Sequence, residues 1–101
     1  MLNFEHEAKR LIKKYPSLKA EIRELGNSLS ENPQQGDSIG KNCYKVRLSI
    51  ASKGKGKSGG ARVITCVYFA ATTVFLLSIF DKSEKSNITE RELQQLLKEI
   101  K

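Results

Sequence analysis

Between Val63 and Phe80 the chain runs for 18 residues without a single charged side chain, and few folds can absorb such a stretch. Its length reaches the lower limit for a membrane-spanning helix. Its composition opposes one. Val63, Ile64, Thr65, Val67, Thr72, Thr73, Val74 and Ile79 are β-branched, with aromatics among them, and such side chains suit the pleated surface of a sheet. The small, polar patch Ala70-Ala71-Thr72-Thr73 divides the stretch in two. The reading is therefore two strands, Ala61–Phe69 and Thr73–Phe80, with no membrane involved. Both are apolar on both faces, which predicts central strands covered on each side.

The flanking segments say what covers them. From Tyr44 to Ile50 the pattern alternates, with Val46, Leu48 and Ile50 on one face and Lys45, Arg47 and Ser49 on the other. This adds a third strand. Phe4, Ala8, Leu11, Ile12 and Tyr15 share one helical face, and Pro16 ends that helix. Ser17 is placed to cap a second helix with the stripe Leu18, Ile22, Leu25 and Leu29, weakened by Gly26 and ended by Asn32-Pro33-Gln34-Gln35-Gly36. At the C-terminus Thr89 and Glu92 have capping-box spacing. Ile88 can staple onto Leu93, and Leu93, Leu96, Leu97 and Ile100 form a stripe. The expected fold is α+β in the order ααβββα. A three-stranded antiparallel meander is packed by an N-terminal helical hairpin and a C-terminal helix, as one domain over 1–101. Ala70–Thr72 is a poor hairpin turn by composition.

The charge is as unevenly placed as the hydrophobicity. From Ser38 to Phe80 there is no Asp or Glu, yet Lys41, Lys45, Arg47, Lys53, Lys55, Lys57 and Arg62 occur there. The rest of the chain carries eleven basic and eleven acidic side chains, so the formal +7 belongs to this stretch. It includes a Gly/Lys-rich loop, Ser52 to Gly60. A cationic surface without compensating carboxylates points to a polyanion, with nucleic acid as the partner.

Several chemistries fit poorly. Ala51-x-x-x-x-Gly56-Lys57-Ser58 satisfies a permissive phosphate-loop pattern, but that loop must lead into a helix whose N–H groups face the phosphates. Here a β-branched strand follows. His6 is the only histidine, which excludes a paired-histidine nuclease. Cys43 and Cys66 lack zinc-ligand spacing and read as free thiols in a reducing cytoplasm. A two-metal nuclease needs clustered carboxylates, and only Asp37, Asp81 and Glu84 lie near the basic region. No metal and no cofactor is expected.

Lysine and arginine chemistry remains. Lys45 and Arg47 share a strand face, and Arg62 opens the next strand. In an antiparallel meander Lys82 and Lys85 come near Arg62. Five cations in one concavity suit a bound phosphodiester. Arginine grips phosphate bidentately, and a crowded lysine with a lowered pKa is a candidate general base for a ribose 2′-hydroxyl.

At these residues the chain resembles the RelE/HigB type of toxins of bacterial type II toxin–antitoxin systems, in the RelE/ParE superfamily. The matching stretches are 13–18, 44–48, Gly54-Lys-Gly-Lys-Ser-Gly-Gly-Ala-Arg-Val-Ile64 and Phe75 to Ser86. The resemblance implies a ribosome-dependent mRNA endonuclease that cuts in the ribosomal A site by 2′-hydroxyl attack, without metal, and a cognate antitoxin that neutralises the basic groove. It implies catalytic roles for Lys45, Arg47, Arg62 and Lys82, with Lys85 as the other basic residue after the last strand. Lys53, Lys55 and Lys57, and Lys85 with them, would bind RNA phosphates. Two alternatives are a ParE-like toxin that inhibits DNA gyrase and a non-catalytic RNA-binding module. Two features depart from the family: a tyrosine present in some relatives would fall near Thr89, and family chains usually begin with a strand. The sheet is therefore expected to be one strand short, or completed by a partner.

Overall fold

A computed structural model describes residues 2–53, 59–68 and 73–100. Two helices, α1 (Leu2–Lys14) and α2 (Leu18–Glu31), precede four strands. These are β1 (Asp37–Gly40), β2 (Cys43–Leu48), β3 (Ala61–Tyr68) and β4 (Thr73–Asp81), and a final helix, α3 (Glu90–Lys98), closes the chain. The sheet is antiparallel throughout, in the order β1-β2-β3-β4.

Each face of the sheet is covered by a different helix set. On one face the stripes of α1 and α2 meet Val46, Ala61, Val63 and Ile79, burying Phe4, Ala8, Leu11, Leu18, Leu25 and Leu29. On the other face Leu93 and Leu96 of α3 pack on Cys43, Ile64, Cys66, Leu77 and Phe80. This two-sided cover is why β3 alternates no polarity: Ala61 through Val67 are all buried. The capping box forms as expected. The Glu92 N–H donates to Thr89 Oγ1 at 3.1 Å, and the Thr89 N–H donates to Glu92 Oε1 at 2.9 Å. Ile88 packs against the α3-side core that contains Leu93.

Two expectations need correction. The sheet has four strands, not three, and the added one comes from the chain itself. Residues 37–40 fold back on β2, with Asp37 opposite Lys45 and Ser38 opposite Tyr44. The connection is a two-residue turn with φ of 57° at Lys41 and 62° at Asn42, the doubly positive geometry of a tight hairpin. Its usual signature is Asn-Gly or Asp-Gly. Lys-Asn carries no such signal, so sequence pattern alone passes over it. The second correction concerns Ser17, whose hydroxyl makes no N-cap bond to α2. It is engaged elsewhere, donating to Glu21 Oε1 at 3.2 Å and accepting from the Ser52 N–H at 2.9 Å. The Ala51 N–H donates to Glu21 Oε2 at 2.7 Å. These bonds tie the entry of the Gly/Lys-rich loop to α2. The Ala70–Thr72 turn lies outside the described residues.

Candidate nucleic-acid interface

The β2–β3–β4 register sets the site. Arg47 pairs with Arg62, and Arg62 pairs with Phe80. Lys45 pairs with Ile64 two residues away. Cross-strand partners share a face, so Lys45, Arg47, Arg62 and Phe80 all stand on the α3 side of the sheet. The Lys85 ammonium sits 5.3 Å from the Phe80 ring centroid, which extends the cationic row beyond β3. Lys82 follows directly after β4, and its N–H donates to the Gly60 carbonyl at 3.0 Å. It therefore leaves the sheet at the end where Arg62 stands. Three of the cations expected from sequence thus occupy one face as neighbours in register, and two more border them.

Their surroundings differ. Arg62 is 3% exposed, and one of its guanidinium nitrogens donates to the Ala61 carbonyl at 3.1 Å. Burial pushes its pKa down, the Arg47 guanidinium pushes it further, and Asp37 partly opposes both. Arginine remains charged through such a shift, so the strain falls on the charge, which an incoming anion relieves. Crowding among the cations is thus felt at Arg62. Lys45 is half-buried, and its ammonium donates to Asn87 Oδ1 at 3.4 Å. Arg47 is exposed beside it. Lys85 is held by Glu92 at 2.5 Å.

One expected phosphate ligand is placed elsewhere. Lys53 lies at the opposite face, ion-paired with Asp81 and only 10% exposed in its side chain. Its ammonium is 5.6 Å from the Tyr15 ring centroid and donates to Ser83 Oγ at 3.1 Å. The Tyr15 hydroxyl donates to Asp81 Oδ2 at 3.0 Å, and the Ser83 N–H to Asp81 Oδ1 at 2.9 Å. Asp81 is fully buried. Burial alone would raise its pKa, but the bonds from Lys53, Ser83 and Tyr15 outweigh that and hold its carboxyl well below the usual carboxylate range. This network anchors the turn that carries Lys82. Lys55 and Lys57 lie outside the described residues, as does most of the phosphate-loop-like pattern. That pattern leads into β3 and not into a helix.

One carboxylate that the sequence places near the basic region, without a role, stands at the cationic face. Asp37 pairs with Lys45 on β1 and, with Lys45 and Arg47, lines a cleft of about 380 Å³. Sequence weighed it only as a metal ligand and could not show that it pairs with Lys45. Among the described residues no helix is long and apolar enough to cross a membrane.

A family model described as the RelE toxin of the RelE / RelB toxin-antitoxin system matches residues 3–101 of this chain.

Proposed function

The chain belongs to the RelE toxin family, and on that basis we propose that it is a metal-independent endoribonuclease acting on ribosome-bound mRNA. The observation that carries this reading is the in-register row Arg47–Arg62 with Lys45 beside it, all on one face. Two guanidinium groups opposite one another hold a phosphodiester from two sides and stabilise charge that builds on its oxygens as the 2′-hydroxyl attacks. Lys45 and Lys82 supply the remaining positive charge, and an ammonium can donate a proton to the departing 5′-oxygen. Lys85, already paired with Glu92, serves the RNA backbone beyond the reacting phosphate. Lys55 and Lys57 do the same from the Gly/Lys-rich loop. Lys53 can join them only by leaving Asp81. A cognate antitoxin of complementary acidic charge silences the site by covering it, and toxin and target meet in the cytoplasm.

Expression of the parent protein and of Arg62→Ala, followed by mapping of transcript 5′ ends, tests this reading. The parent produces new ends confined to translated regions. Arg62→Ala produces few or none, with cleavage reduced about 10²–10³-fold. No new ends with the parent, or DNA breaks with messengers intact as a gyrase poison would give, rejects the proposal.

A further inference from the structure

The cationic face needs a group that removes a proton; Lys45 donates to Asn87, Lys85 is paired with Glu92, and arginine stays protonated. We infer that Asp37 is that group: its carboxylate takes the proton from the attacking ribose 2′-hydroxyl. This rests on the endonuclease reading above.

Register carries the argument. Asp37 stands directly across from Lys45, so the two side chains share the α3 face. Arg47, two residues on, is its diagonal neighbour at about 7–8 Å in backbone spacing. Asp37, Lys45 and Arg47 line one open cleft, and the Asp37 charge reaches Arg62. Despite these three cations, the Asp37 side chain forms no ion pair or hydrogen bond among the described residues. Other carboxylates nearby are committed. Glu92 holds Lys85 and caps α3. Asp81 is buried behind the sheet, and Glu84 pairs with Arg10 at 3.0 Å. Glu21 and Glu24 line the adjoining cleft on the far side of Arg47. Glu21 already accepts from the Ala51 N–H.

Asp37 is exposed and the three cations beside it favour its charged form, so an anionic ligand drawn to those cations meets an open carboxylate. A phosphodiester with its neighbouring 2′-hydroxyl is such a ligand. The phosphate oxygens meet Arg47 and Arg62, and the hydroxyl meets Asp37. The O2′–H bond breaks and its proton passes to an Asp37 oxygen. The O2′–P bond forms as the P–O5′ bond breaks. The O5′ atom carries away that electron pair and takes a proton from the Lys45 ammonium, leaving a 2′,3′-cyclic phosphate. Solvent restores both side chains.

The test uses the whole chain in a cell-free translation reaction, with an mRNA and a matching mRNA carrying 2′-deoxy sugar at the cut site. Asp37→Asn is expected to cleave about 10²–10⁴-fold more slowly than the parent while holding the 2′-deoxy mRNA at least as tightly, since a negative charge is gone. Added formate, a small carboxylate able to occupy the space left by truncation, is expected to restore part of the activity of Asp37→Ala but none to Arg62→Ala. Cleavage by Asp37→Asn within about threefold of the parent overturns the inference. So does a loss matched by equal loss of binding, or an Asp37→Ala defect that formate leaves untouched at every concentration. If the parent cuts no RNA, the endonuclease reading falls and the inference falls with it. If the parent cuts and only Asp37→Asn behaves as the parent does, the endonuclease reading stands alone.

Discussion

Arg47 and Arg62 face each other directly across the β2–β3 ladder, one exposed and the other only 3% exposed. Like charges at directly opposed positions destabilise a sheet. Such a cost is expected if the position serves something other than folding, as the phosphate grip proposed above would. Arg47→Ala should raise the unfolding free energy measured in urea by a few tenths to about 1 kcal/mol, while lowering RNA cleavage. Combined with Arg62→Ala, it should add little further loss of cleavage if, as proposed, the two side chains act on one phosphate. Full additivity in cleavage would separate their roles.

The buried pair behind the sheet gives a stability prediction. Asp81→Asn leaves the Lys53 ammonium in a site only 10% exposed, and stranding one member of a buried pair costs about 3–5 kcal/mol. Asp81→Asn with Lys53→Met should recover much of that. Acid dependence follows from the same carboxyl. Its pKa is depressed in the folded state, so its stabilisation is complete above the ordinary carboxylate range near 4 and fades as pH falls below it. Urea unfolding at neutral pH and near pH 3 checks this: the parent loses more stability than Asp81→Asn on acidification.

Two glycines predict opposite outcomes. Gly36 has φ of +99°, and a Cβ there would meet the Lys45 carbonyl oxygen at 2.7 Å. Gly36→Ala should cost about 1–3 kcal/mol and, by displacing the backbone of Lys45, impair cleavage beyond the stability loss. Gly26 lies inside α2 with open space where its Cβ would stand. Gly26→Ala should stabilise by about 0.5–1 kcal/mol with activity unchanged. Thermal melts of both variants beside the cleavage assay decide the pair.

Cys43 and Cys66 are opposite one another in the β2–β3 register and both are buried under α3. Burial first, and the neighbouring Cys66 second, push the Cys43 thiol up to about 12. Thiolate is the reactive form, so Cys43 in the native protein should resist Ellman's reagent at neutral pH and react only as fast as the chain opens. Rapid labelling of Cys43 in the folded protein would contradict this environment.

The sequence alone was enough to locate the helices, the three long strands and the chemical character of the site. Each rests on short-range periodicity: the 3.6-residue stripes of Phe4 to Tyr15 and Leu18 to Leu29, the alternation at Val46 and Leu48, and the Thr89–Glu92 spacing. Charge placement along the chain likewise marked Lys45, Arg47 and Arg62. Tertiary structure decided what those cations stand beside. The tight turn at Lys41-Asn42 folds β1 onto β2 and sets Asp37 beside Lys45, a juxtaposition made by pairing across strands and invisible to local pattern. Lys53 reads in sequence like its neighbours in the loop. A buried carboxylate contributed by the end of β4, 28 residues away, draws it to the opposite face. An ammonium goes where its charge is best compensated, and that depends on which distant carboxylate the packing of α1 against β4 has taken out of water.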